Sequence, residues 1–155
     1  MKAQDAHSRK TLSSSLIGTW ELLSREDNTL EGERRVDPAL GANPVALLFF
    51  DKEGHFAAQF MRRGRNDVVE AEPAKPAPNN SRARGGYDAY FGTYNADDSL
   101  GTVTTRLVGA LSPENVGQVF TRTMSVMGDE LTIRLETATA GGEAIIRTLR
   151  WKRVG

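Results

Sequence analysis

Apolar and polar positions alternate in short runs along most of the chain, the period of strands rather than helices. Residues 16 to 24, Leu-Ile-Gly-Thr-Trp-Glu-Leu-Leu-Ser, read as a first strand with Trp20, Leu22 and Ser24 on one face. Asp27 to Asn43 is polar, carries Gly32, Pro38 and Gly41, and reads as a long connection. Val45 to Phe50 is a continuous apolar run, Asp51-Lys52-Glu53-Gly54 a turn, and His55 to Arg62 the returning strand. Shorter strands follow at 91–95, 101–110, 118–127, 130–139 and 144–154, separated by Asp-, Asn-, Pro- and Gly-rich turns. The pattern predicts an all-β fold. It is a single antiparallel up-and-down barrel of eight strands, which leaves room for side chains or one small ligand.

Two stretches break the alternation. Met1 to Ser15 has charges and serines but no apolar period, so it is expected to be a disordered lead before a domain spanning 16–154. Arg63 to Arg84 contains Pro73, Pro76 and Pro78, a spacing that no strand or helix interior tolerates, and reads as a flexible insert. A short helical turn is expected near 83–90, although Gly85-Gly86 weakens it.

Composition narrows the partners. Lys plus Arg and Asp plus Glu are both 20, giving zero formal charge, which argues against a nucleic-acid or polybasic membrane binder. The absence of cysteine removes disulfides, thiolate metal sites and thiol nucleophiles, and two histidines cannot make a His-rich metal site. No metal and no cofactor are therefore expected. With no apolar run of about 20 residues and no signal-peptide pattern at the N-terminus, a cytoplasmic protein is the default, as a monomer or homodimer.

Strand parity selects the inward residues. In 118–127 the bulkier face is Gln118, Phe120, Arg122, Met124 and Val126; in 144–154 the tryptophan face carries Ile145, Arg147, Leu149 and Trp151. Both faces take an arginine inside, and a buried guanidinium needs a partner. A ligand carboxylate supplies one by two parallel hydrogen bonds; an internal acid such as Glu21 or Glu136 supplies one equally well. Trp20 and Trp151, on the first and last strands, are expected to plug one barrel end. His55 reads as a solvated turn residue, or as a base if Asp51, Glu53 or Asp88 orients it. The arginines at 62, 63, 65, 82 and 84 flank the insert as a basic rim that nearby acids offset.

Several motifs together resemble the bacterial lipocalin-like domain family, a mostly uncharacterised group of calycin-like barrels. The Gly18-Thr-Trp20 opening is similar to the family's first strand. Residues 44–62, ending in Gln59-Phe-Met61-Arg62, resemble its second and third strands. Gly92-Thr-Tyr94 and the closing Leu149-Arg-Trp151-Lys-Arg153 complete the set. Two departures stand out: the proline-rich insert, and Thr104 and Thr105 where many relatives carry a histidine. If that histidine serves a reaction, this chain should lack it. The resemblance implies a lipocalin-like barrel with an inner cavity and leaves its use undefined.

The expected function is binding of a small, largely apolar or amphipathic molecule with a carboxylate or carbonyl end. Arg122 and Arg147 would hold that end, Gln59 and Tyr94 would hydrogen-bond it, and Met61, Phe120, Met124 and Leu149 would line the apolar wall. Two alternatives stay open. One is a cofactor-independent isomerase, cyclase or dehydratase with unknown catalytic residues. The other is a partner-binding scaffold with a filled barrel.

Overall fold

The computed structural model describes residues 11–65 and 79–155. Helix α1, Leu12–Leu16, comes first, with the Thr11 side chain accepting from the Ser14 amide as its N-cap. Strands follow in chain order: β1 Gly18–Thr29, β2 Arg34–Arg35, β3 Val45–Phe50, β4 His55–Met61, β5 Tyr87–Asp97, β6 Thr102–Ala110, β7 Val119–Met127, β8 Glu130–Ala138 and β9 Ala144–Arg153. A 3-10 turn at Pro113–Asn115 lies between β6 and β7.

Each strand from β3 to β9 pairs with its successor antiparallel, and β1 pairs with both β3 and β9. These eight strands close the expected up-and-down barrel, while two-residue β2 pairs only with the far end of β1. Inward and outward side chains alternate around the wall, and the β7–β8 ladder ends at Thr123–Arg134, where the Asn79 side chain takes over the Thr121 backbone. The inward set is mostly apolar, with seven buried aromatic side chains among the described residues. Phe60 meets Trp151 edge-on at 5.8 Å, Tyr90 meets Phe120 at 6.5 Å, and both tryptophans are fully buried.

The barrel's two ends differ. At one, α1 acts as a plug: Leu16 is fully buried and its carbonyl accepts from Trp20 Nε1 at 2.9 Å. Ser13 anchors the helix to Asp98 in the β5–β6 turn. The connections at 36–40, 79–86 and 111–118 gather at the other end, the mouth. No helix among the described residues is long and apolar enough to cross a membrane.

Two expectations are corrected. Residues 12–15, expected in a disordered lead, form a helix with Leu16, expected in the first strand, because Leu12 and Leu16 pack on the core at the barrel floor; residues 1–10 lie outside the described set. No helical turn forms near 83–90. Instead Arg84 bridges to Tyr87 and β5 begins at Tyr87, Gly85 and Gly86 both taking positive φ in a tight turn. Of the insert read at 63–84, residues 66–78 lie outside the described set. The rest is tied down: Arg63 Nε donates to the Asn43 carbonyl at 2.9 Å and Arg65 Nε to that of Gly85 at 2.8 Å.

Candidate functional site

The inward faces of β7 and β9 are those read from parity: Phe120, Arg122 and Met124 on one, Ile145, Arg147, Leu149 and Trp151 on the other. In β1 parity changes. The register with β9 shifts between Leu22 and Ser24, a β-bulge that leaves Leu23 half-exposed. Beyond it Arg25, Asp27 and Thr29 turn inward and are buried. Three arginines and three aspartates (Arg25, Arg122, Arg147, Asp27, Asp37 and Asp88) thus meet in the mouth half of the barrel.

Two pairs in this layer are complete. Arg147 holds Asp27 through both oxygens, Nε to Oδ1 at 2.8 Å and Nη2 to Oδ2 at 3.0 Å, with both side chains about 5% exposed. Arg25 donates to Asp37 at 3.0 Å. Burial works against the Asp37 carboxylate, but Arg25, the Ala39 amide and Arg147 together hold it below the usual carboxylate range. Burial, then repulsion from Arg147, lowers the pKa of Arg25.

The third pair is not made. Asp88, only 3% exposed, accepts from the Ser81 hydroxyl through Oδ2, while its Oδ1 has no partner. Burial pushes its carboxyl above the ordinary range, against the pull of Ser81, the Ala89 amide, Arg122 and Arg25. Arg122 lies over the Phe120 ring at 4.9 Å and donates Nη2 to the Asn79 carbonyl at 2.7 Å, while its Nε has no partner. Asp88 and Arg122 border one void of about 30 Å³ together with Tyr90, Phe60, Leu135 and Leu149.

Above that void the mouth opens as a cleft of about 150 Å³, walled by Val36, Pro38, Ala83, Ala138 and Gln118. Cleft and void share Asp37, Asn80, Ser81, Ala83 and Arg147 along their boundary. Asn115, 4% exposed, borders the cleft with an unpartnered Nδ2. Deeper in the barrel a second void of about 30 Å³ is apolar, lined by Leu48, Phe56, Met124, Ile133 and Trp151, with Arg122 at its edge.

The candidates read from sequence therefore separate. Arg122, Phe120, Met124 and Leu149 do come together inside. Arg147 is inside too, but Asp27 already fills its fork, so it is not free to hold a ligand. Gln59 and Met61 are corrected: both are exposed on the outer face of β4, whose inward residues are Phe56, Ala58 and Phe60. Tyr94 sits at the plug end, packed edge-on against Phe50 at 4.8 Å with its hydroxyl donating to the Asp51 carbonyl at 2.6 Å. His55 Nδ1 does meet Asp51 Oδ2 at 3.1 Å, on the exposed outside of that same end. The basic rim fastens the mouth loops: Arg62 donates to the Pro38 carbonyl, and Arg82 and Arg84 pair with Glu114.

Sequence reading missed Arg25, Asp27, Asp37 and the inward place of Asp88. For β1 no signal was available, because a bulge reverses parity without a compositional mark. For Asp88 the signal was present: it lies two residues before Tyr90, so extending the alternation of β5 backwards would have turned it inward.

A family model described as a lipocalin-like domain matches residues 17–154, nearly the whole described barrel. No curated protein matches the chain.

Proposed function

The chain belongs to the lipocalin-like domain family, and from that premise we propose that it binds a small molecule at the mouth of the barrel, with one polar end reaching Arg122. One observation carries this reading. In a layer where Arg25 and Arg147 are each neutralised by an aspartate, Arg122 keeps an unpartnered Nε beside a void that adjoins the mouth cleft. A buried guanidinium N–H without an acceptor is costly, and a ligand oxygen removes that cost.

Size supports a small ligand. Apolar side chains fill most of the barrel, so the space within reach of Arg122 from the mouth is the cleft of about 150 Å³ and the void beneath it, apart from the larger hollow of about 420 Å³ between β7 and β8. A dry cavity of about that volume accommodates a benzene-sized ring. The small side chains on the cleft wall suit an apolar body, and the arginine below suits a carbonyl or anionic end.

The test is native mass spectrometry of the protein from its own host, beside the Arg122→Met variant, followed by organic extraction. A stoichiometric small molecule on the wild type that is lost from Arg122→Met supports the reading. An empty wild-type protein, or a variant loaded equally well, refutes it.

A further inference from the structure

Arg122 does not face its void alone. Asp88 Oδ1 is an acceptor without a partner and Arg122 Nε a donor without a partner, and both residues border the same space of about 30 Å³. No ion pair joins them, unlike Arg147 with Asp27 or Arg25 with Asp37. Asp88 cannot turn to water, being 3% exposed, and its other oxygen is held by Ser81.

We infer that the buried end of the ligand is a neutral group that accepts one hydrogen bond and donates another, such as a primary amide or a lactam, rather than a carboxylate. This rests on the reading of the barrel as a small-molecule binder anchored at Arg122. The carbonyl oxygen takes the Arg122 Nε–H, and the N–H of the same group reaches Asp88 Oδ1. A carboxylate satisfies the arginine, but at Asp88 it either sets two like charges in a space that holds about one water or makes Asp88 take up a proton on binding, whereas the amide meets both residues with Asp88 ionised. The layer is also balanced without help: Arg25, Arg122 and Arg147 face Asp27, Asp37 and Asp88, so a ligand anion adds an uncompensated charge.

The cleft dimensions make benzamide and benzoate a matched probe pair, equal in ring and different only at the polar end. Each is titrated into the wild-type protein while the Arg122 Nε–H resonance is followed by NMR, and again into Asp88→Asn and Arg122→Met. Benzamide is expected to move that resonance and to bind about tenfold tighter than benzoate, the effect of one unmade hydrogen bond to a charged group. Asp88→Asn narrows the preference by removing the like charge, and Arg122→Met abolishes both interactions. Benzoate binding as tightly as benzamide, still dependent on Arg122, overturns this inference and leaves the anchor standing. A preference for benzamide that Asp88→Asn leaves unchanged overturns the role of Asp88. If neither probe moves the Arg122 resonance, inference and anchor fall together. The wild-type resonance decides the first and last of these cases even if Arg122→Met fails to fold, and the role of Asp88 is read from Asp88→Asn.

Discussion

Separating Asp27 from Arg147 tests whether the buried layer is a structural frame. Each side chain is about 5% exposed, and the two hydrogen bonds measure 2.8 and 3.0 Å. Removing one partner from such a pair costs about 3–5 kcal/mol, because the other charge stays buried. That is a large share of the roughly 5–15 kcal/mol that holds a domain of this size together. The two single variants differ in kind. Arg147→Met leaves the Asp27 carboxylate buried without the fork that held both its oxygens. Asp27→Asn leaves the Arg147 guanidinium buried without its carboxylate, and the repulsion between Arg147 and Arg25 is then offset by Asp37 without the help of Asp27. Asp27→Asn is therefore the more damaging of the two. The double variant Asp27→Leu/Arg147→Met restores an uncharged contact and costs less than the two singles added. Urea unfolding followed by tryptophan fluorescence reads all of this. With a slope of about 2 kcal/mol per M, each single variant moves the midpoint down by about 1.5–2.5 M. Singles that cost under about 1 kcal/mol and add in the double variant would falsify the buried-pair argument.

Two further outcomes follow from the same geometry. A methyl group at Gly92 would lie 1.9 Å from the Arg106 carbonyl oxygen and 2.9 Å from the Val108 amide nitrogen, where the β5–β6 register shifts. Gly92→Ala must therefore push the two strands apart; a loss of about 3 kcal/mol or more is expected in thermal unfolding, and an unchanged Tm would show that the bulge adapts freely. The Asp88 carboxyl is raised in the folded protein, so the wild type binds more protons folded than unfolded. The resulting penalty is absent below the unfolded pKa, grows as pH rises towards the folded value, and then stays constant. Asp88→Asn should gain stability relative to wild type across that window, and a difference independent of pH would remove the buried-charge account.

Much of this molecule is written in its alternating pattern. The turns at 51–54 and 128–129 and the inward faces of β7 and β9 follow from residue type alone, because a half-buried strand must place every second side chain in the core. Parity on β7 and β9 puts Arg122 and Arg147 inside. The same parity misled where the chain departs from a period of two. The bulge at Leu23 sends Arg25 and Asp27 inward from a stretch that reads as a solvent-facing connection. Gln59 and Met61 share the parity of exposed His55, and the rule that turns the bulkier apolar face inward on β7 and β9 turns Phe56, Ala58 and Phe60 inward here and these two outward. Pairing was decided at greater distance still. Asp27 and Arg147 meet because β1 and β9 close the barrel, and Asp88 makes no ion pair although Arg122 borders the same void. By itself the sequence determined that a barrel forms and that arginines enter it, since burial of alternate residues is a local rule. Only the tertiary structure decided which arginine is neutralised by an aspartate and which is not, since an ion pair depends on the three-dimensional closeness of strands far apart in the chain.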